Sequence, residues 1–455
     1  MKKITKLALA VSSVAVVGVI SAFVAIAQTG IDTFYTPKKY PGTTLNVVVS
    51  ASHLGEPYGP MYRQLASGFE KASGAKVNLV PVSESDMYNK VRLSLIAGQC
   101  TYDAMETGAG GAKDYGMSGF LAALPTPPDV SNFFKGDVNQ YSIDGKLFGM
   151  PMYSDTNLIF WRTDLFKAAG LPDRPPRTYT EFTQWAIRLT EDTNGKHPGE
   201  AGFDPNSIAI YGSVYKGNTL ASTWEWYNYL FAFGSDVFDS KWNITVNDAR
   251  AVNSLKWLTD NYRVAKIYPA DTLTYNYSEF HTLFAQGKVA MAINWPYMWS
   301  ILQNPAQSKV VGKVAVGRKP AQVKRGGNIG GWSFNVFEKC PNKAAAIDLA
   351  KWMASPAASE AYSKASLVPV RKSVLAAKAK SEGQPWVAIS ENMPDGRMVT
   401  PIGTGESWMP IEEVLQIAIQ ESMTGKSTPK AALDKAAAGI KTILDKNGFY
   451  KNMPK

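Results

Sequence analysis

Histidine and cysteine are scarce in this chain, with three of the first and two of the second among 455 residues. His53, His197 and His281 stand alone, and no Cys or His pair has the spacing of metal ligands, so a metal centre is not expected. Two cysteines are too few for a scaffold held by disulfides, and on spacing alone Cys100 and Cys340 are either one bridge or two free thiols. A GxSxG elbow, a glycine-rich phosphate loop and an HExxH helix are all missing, which removes the common signatures of serine hydrolases, nucleotide binding and zinc proteases; no cofactor is expected. Charge runs are missing too. The formal charge of +10 falls to about +7 once Lys2, Lys3 and Lys6 are set aside, and the remaining basic residues are adjacent only in pairs such as Lys38 with Lys39 and Lys324 with Arg325. That scatter argues for a solvated surface and against a nucleic-acid partner.

Long apolar runs are absent after residue 27, and the one that precedes it has a specific form. Three lysines fall in residues 1–6, residues 7–27 are almost wholly apolar, and Ala25, Ile26 and Ala27 form a small-x-small site before Gln28. This is the pattern of a secretory signal peptide over residues 1–27. The run is also long enough to span a bilayer, which leaves retention as an anchor open. No cysteine stands at the cleavage site to carry a lipid, so the reading is a soluble protein released outside the inner membrane, in a periplasm.

What remains is too long for one ordinary core and suits two domains. Apolar runs at 45–50, 76–81 and 102–106 read as buried strands, and they alternate with helical periodicity at 60–73 and 87–97, closed by Gly74 and Gly98. Further strands are expected at 147–153, 158–161, 289–294, 314–316, 331–337 and 367–370, with helices at 222–233, 248–262, 278–285, 343–353, 410–423 and 429–444. Strands alternating with helices predict an α/β protein with parallel, helix-covered sheets.

Three short segments at strand or turn boundaries carry the chemistry. In Gly330, Gly331 and Trp332, two glycines bare the backbone beside a large ring. A pyranose offers hydroxyls to exposed amides and apolar C–H faces to an aromatic ring, so such a corner suits a sugar. Asn294, Trp295, Pro296 and Tyr297 follow a buried strand, and the proline turns the chain out at a strand end, where open α/β sheets bind ligands. Tyr153, Ser154 and Asp155 form the third. The helix expected at 222–233 is rich in rings, most of them core by their spacing, with Trp224 and Glu225 at its start facing a cleft. Asp103, Glu106, Asp155 and Glu225 supply carboxylates for a glycoside hydrolase, but no acid and base pair is specified, and Asp103 reads as pinning a strand end.

Taken in order, residues 69–77 (FEKASGAKV), 102–123, 145–171 (GKLFGMPMYSDTNLIFWRTDLFKAAGL), 284–297 (FAQGKVAMAINWPY) and 330–332 resemble the extracellular solute-binding proteins, family 1, that serve carbohydrate ABC importers, the group of the maltose and trehalose binders. The resemblance implies a two-lobed periplasmic binding fold with a hinge and a ligand cleft between the lobes. It places a first lobe at 43–150 plus 318–367 and a second at 151–316 plus 371–450, with crossings near 149–155, 314–317 and 367–371. It implies ligand contacts from His53, Glu56, Glu106 and Thr107, and from Gly331 and Trp332, in the first lobe; from Tyr153, Asp155, Trp224, Glu225, Asn294, Trp295 and Tyr297 in the second; and from Arg371 near the third crossing. The chain departs from the pattern at 211–223 and in a lengthened loop at 198–206. The expected function is binding of a neutral carbohydrate or sugar alcohol for delivery to permease subunits in the inner membrane, by a monomer without catalytic activity. The alternatives are a charged cargo, either a sugar acid or a polyamine, and an exported glycoside hydrolase.

Overall fold

The computed structural model describes residues 30–55 and 58–451. The leader read at 1–27 and Glu56, expected beside the ligand, lie outside the described residues.

Ten strands make the two main sheets: β1 (Thr44–Ser50), β2 (Lys76–Val82), β3 (Ala104–Gly108), β4 (Met150–Thr156), β5 (Leu158–Arg162), β6 (Met291–Asn294), β7 (Val314–Gly317), β8 (Gly327–Val336), β9 (Val368–Pro369) and β10 (Gly396–Arg397). The larger sheet runs β9-β4-β8-β3-β1-β2, with β10 also paired to β8. Leu45, Val47, Val48 and Val49 are all buried, because β1 lies inside the sheet, parallel to β2 and β3 and covered on both faces. The helix α1 (Gly59–Ser73) joins β1 to β2, buries Met61, Tyr62, Leu65, Ala66 and Phe69 on one side, and stops at Gly74, whose φ of 78° admits the left-handed turn. A segment far along the chain enters the middle of this sheet: β8 runs antiparallel to β3 on one side and to β4 on the other.

The smaller sheet runs β6-β5-β7 and is antiparallel throughout, which corrects the expectation of parallel sheets. Its outer strands run the same way, but β5 separates them, so they never pair. A second correction concerns β4. The resemblance ends the first lobe at residue 150, with a crossing near 149–155, yet β4 stays in the larger sheet through Thr156, and the chain enters the smaller sheet only after Asn157. The ladder accommodates Pro151 by a register shift: Trp332 pairs with Tyr153 and Ser333 with Pro151, leaving Met152 unmatched.

The helices beyond α1 include α2 (Ala109–Met117), α3 (Thr219–Ala232), α4 (Ala249–Arg263), α5 (Trp408–Thr424) and α6 (Pro429–Lys446). The last two pack on each other and on α3 and α4, so the C-terminus completes the lobe of the smaller sheet. Cys100 and Cys340 are joined as a disulfide with Cα atoms 5.4 Å apart, which resolves the choice the sequence left open. Among the described residues no helix is long and apolar enough to cross a membrane.

Candidate functional site

The turn after β1, Ala51–His53, carries His53 to the edge of the larger sheet, where its ring meets Trp332 edge-on at 4.5 Å between centroids. His53 Nδ1 lies 2.7 Å from Glu106 Oε1. Glu106 itself is fully buried: its carboxylate also accepts from the Ser50 amide at 2.7 Å and from the Tyr62 hydroxyl of α1. Tyr153 joins from β4, its hydroxyl 3.4 Å from both His53 Nδ1 and the Tyr62 hydroxyl. Burial and the charge of Glu106 push the Tyr62 and Tyr153 hydroxyls well above the ordinary tyrosine value. Glu106 and Tyr153 thus form a buried frame that aims His53, rather than surface on the cleft. Thr107 is also buried, its hydroxyl accepting from Asn335 at 2.9 Å. Tyr153 and Asp155 were expected from the second lobe and stand instead on β4 of the larger sheet, because that strand continues past its proline.

The glycine pair on β8 meets a different ring from the one its sequence neighbour suggests. A Cβ added at Gly330 would lie 3.2 Å from the Trp295 ring, so the bared backbone is faced by Trp295, while Trp332 turns to His53. Gly331 has φ of +124°, and a Cβ there would come within 2.6 Å of the Tyr153 carbonyl oxygen. Only glycine fits that position. Beside it, the half-buried Asp155 accepts from the Thr156 amide at 2.9 Å. Burial pushes its carboxyl well above the usual range; the Thr156 amide opposes this, the nearby Asp137 adds to it, and Lys319 opposes it. Tyr58, from the start of α1, and Tyr297, from beyond β6, both feel the Asp155 charge, and burial raises both hydroxyls.

From the smaller sheet's lobe come Asn294 at the end of β6, Trp295, Tyr297, and Trp224 and Glu225 on α3. Glu225 is buried and pairs with Lys216, 2.6 Å apart, and it also accepts from the Tyr229 hydroxyl at 3.1 Å. Lys216 donates to Asn294 Oδ1 at 3.1 Å, which leaves Asn294 Nδ2 to donate to the Tyr297 oxygen at 3.3 Å. His281 Nδ1 lies 3.3 Å from that same oxygen, and burial holds the imidazole below its ordinary value, with Lys216 adding to the effect and Glu279 opposing it. Trp224 is half-buried and its carbonyl accepts from Asn328 at 3.2 Å. A second buried lysine, Lys319, donates to Asn228 Oδ1 at 3.1 Å. Burial brings its amine down to about 7, against the opposing charges of Glu225, Asp395 and Asp155.

His53, Asp155, Trp295, Tyr297, Gly331 and Trp332 therefore gather where the lobes face each other, with Trp224 beyond them. Arg371 does not join them: it is buried between Asp129, at 2.8 Å, and the Tyr35 hydroxyl, at 2.8 Å, with its guanidinium 4.5 Å from the Phe133 ring centre. Asp103 accepts from the Asn46 amide at 2.8 Å, pinning β1. Sequence reasoning missed Lys216, Lys319 and Tyr58. A signal existed for Lys216, which is the lone charge between Tyr211 and Glu225 in an otherwise neutral stretch. Among the described residues no group of three or more His, Cys, Asp or Glu is placed to hold a metal ion.

The family model described as bacterial extracellular solute-binding protein matches residues 55–360. A probable amino-acid ABC transporter periplasmic-binding protein of Sinorhizobium fredii is 24% identical over 337 residues, covering 70% of this chain and 70% of that protein. A mannitol-binding protein of Pseudomonas aeruginosa is 27% identical over 272 residues, covering 58% of this chain and 57% of that protein. In structure, the maltose-bound T. maritima protein superposes with a TM-score of 0.75 at 21% identity, over 89% of this chain and all of the other. That likeness establishes the two-lobed fold.

Proposed function

Because the chain belongs to the bacterial extracellular solute-binding proteins, which are substrate-binding proteins and not enzymes, we propose that it holds a neutral sugar or sugar alcohol between its lobes and hands it to the permease of an ABC importer. The observation that carries this reading is the corner at Gly330 and Gly331, where Trp295 of the other lobe packs on a glycine backbone flanked by Trp332, Asp155 and Tyr297. Rings supply apolar faces for the C–H side of a sugar, and the carboxyl, hydroxyl and amide groups both accept and donate to its hydroxyls. Lys216 is matched by Glu225 within the protein, and Arg371 is held away from the cleft by Asp129, so neither cation is free to meet a sugar acid, which favours a neutral ligand. The relative named for mannitol and the neighbour bound to maltose support the class.

In this reading the contacts are His53, Asp155, Trp224, Trp295, Tyr297, Gly331 and Trp332, with Asn294 and Glu225 behind them, and the hinge lies at Asn157, at residues 318–326 and after Pro369. Export to a periplasm by the 1–27 leader completes the proposal. A cationic cargo is the competing reading, since one relative is named for amino acids and Asp155 would ionise beside an ammonium group.

Melting the protein against hexoses, hexitols, short oligosaccharides, amino acids, polyamines and sugar acids decides between them. A ligand at a hundredfold excess over its Kd stabilises by about 2.7 kcal/mol. A shift confined to one neutral sugar or hexitol supports the proposal. A shift confined to polyamines replaces it with the cationic reading, and one confined to amino acids replaces it with a zwitterionic cargo.

A further inference from the structure

The lobes touch at one end of the cleft through a residue that none of the sugar-facing positions includes. Trp408 opens α5, and α5 is fixed to the second lobe, because Glu412 accepts from Thr223 at 3.1 Å and from Tyr227 at 2.9 Å, both on α3. The Trp408 ring meets Trp224 edge-on at 6.3 Å. Its other side lies on Gly110 in α2, so closely that a Cβ at Gly110 would come within 1.9 Å of the ring. Gly110 stands two residues beyond Gly108, the β3 residue that pairs with Trp332. Next to this contact a Cβ at Gly405 would lie 2.6 Å from Met117 Sδ, again the C-terminal segment against α2. Trp408 itself is 7% exposed. Between Trp332 of one lobe and Trp224 of the other, the two lobes therefore meet through an indole seated in a glycine socket.

We infer that Trp408 is a size-limiting residue, which closes this end of the cleft and selects short ligands, a hexitol or a small saccharide, over longer ones. The inference rests on the proposed carbohydrate function and narrows it. A ligand of three or more rings lying along the Trp332–Trp224 stretch has to displace Trp408 from Gly110 or stay outside the closed lobes. A short ligand leaves the contact in place and gains the closed state it supports.

The experiment compares full-length mature wild type with Trp408→Ala and Trp408→Leu by calorimetric titration. The probes are hexitols and the 1,4-gluco-, galacto- and arabino-saccharides of one to four rings. The inference expects wild type to bind a one- or two-ring sugar or a hexitol, to bind the three- and four-ring members of the same series at least tenfold more weakly, and the variants to reduce that ratio at least tenfold. Equal wild-type affinity for short and long members overturns it, as does a folded Trp408 variant with unchanged length preference. Wild type that binds none of these probes, while an amino acid or polyamine shifts its melting, removes the carbohydrate reading and the size limit with it. If neither Trp408 variant folds, Trp408→Phe decides: a reduced ratio of short-ligand to long-ligand affinity supports the size limit, and an unchanged ratio overturns it.

Discussion

At the scale of single residues, Gly331 and Lys216 are each determined by one close neighbour. Gly331→Ala puts a methyl group 2.6 Å from the Tyr153 carbonyl at a φ of +124°, so the strand must shift or hold a strained backbone. The expected cost is about 1–3 kcal/mol, read as a lower denaturant midpoint, and sugar binding weakens in step because Trp332 moves with the strand. Lys216→Met strands the buried Glu225 carboxylate without its cation, a loss of about 3–5 kcal/mol. Lys216→Met combined with Glu225→Gln should recover most of that stability, and the double-mutant coupling measured by chemical denaturation checks it. Recovery of stability without recovery of binding would separate the pair's structural role from its hold on Asn294 and Tyr297. The glycine pair was legible in the sequence because Gly-Gly-Trp is a local pattern. Its facing ring, Trp295, was named as a contact, but its seat on Gly330 depends on a strand from the other lobe. Glu106 read as a contact and is a buried hub, since Ser50, His53 and Tyr62, which consume its oxygens, are brought to it only by the β1–β3 pairing and α1.

Among the elements, the strands and helices with strong local pattern were the legible ones: the helix expected at 60–73 forms as Gly59–Ser73, and the strand expected at 76–81 as Lys76–Val82. Strand order was not legible, because β8 is inserted between β3 and β4 by pairing across more than 150 residues, as Trp332 with Tyr153 shows, and no local periodicity encodes that. The end of β4 was misplaced for a related reason: the strand expected at 147–153 runs on to Thr156 because its last residues pair with Ile329 and Gly330 of β8. The disulfide holds this insertion. Cys100 lies in the loop before β3 and Cys340 in the loop after β8, so the bridge clamps two paired neighbours at one end of the larger sheet. A disulfide typically stabilises by about 2–4 kcal/mol through its constraint on the unfolded chain. Dithiothreitol should therefore lower the melting temperature of wild type, Cys100→Ser with Cys340→Ser should match reduced wild type, and the double variant should not respond to the reductant. Sugar affinity should change little, because the bridge lies away from Trp332 and His53.

For the whole molecule, the consequence of the buried titratable groups is a stability that varies with pH around neutrality. Asp137 is fully buried, with Ser154 donating to it at 2.8 Å and one oxygen without a hydrogen-bond partner, and burial pushes its carboxyl up to about 7, opposed by that bond. Glu412, buried where α5 meets α3, is likewise pushed up to about 7 by burial, against the donors Tyr227 and Thr223. In the unfolded chain both lose their protons near 4, so between about pH 4 and 7 the folded state binds more protons than the unfolded state, and stability falls as pH rises. Lys319 acts in the opposite range. Its amine stands at about 7 in the fold against an ordinary 10.5, so from about pH 7 upward the unfolded state binds more protons and stability rises with pH. Together the three groups contribute a minimum near neutrality, where two carboxylates and an amine, Lys319 between Asp155 and Glu225, are all held partly charged without water. Asp137→Asn should flatten the acid limb of the melting temperature between pH 5 and 7 and leave the basic limb. Lys319→Met should flatten the limb above pH 7 and raise stability at neutral pH relative to wild type. A Lys319→Met profile parallel to that of wild type from pH 7 to 9 would show the amine keeping its charge in the fold, with Asp155 and Glu225 compensating for its burial.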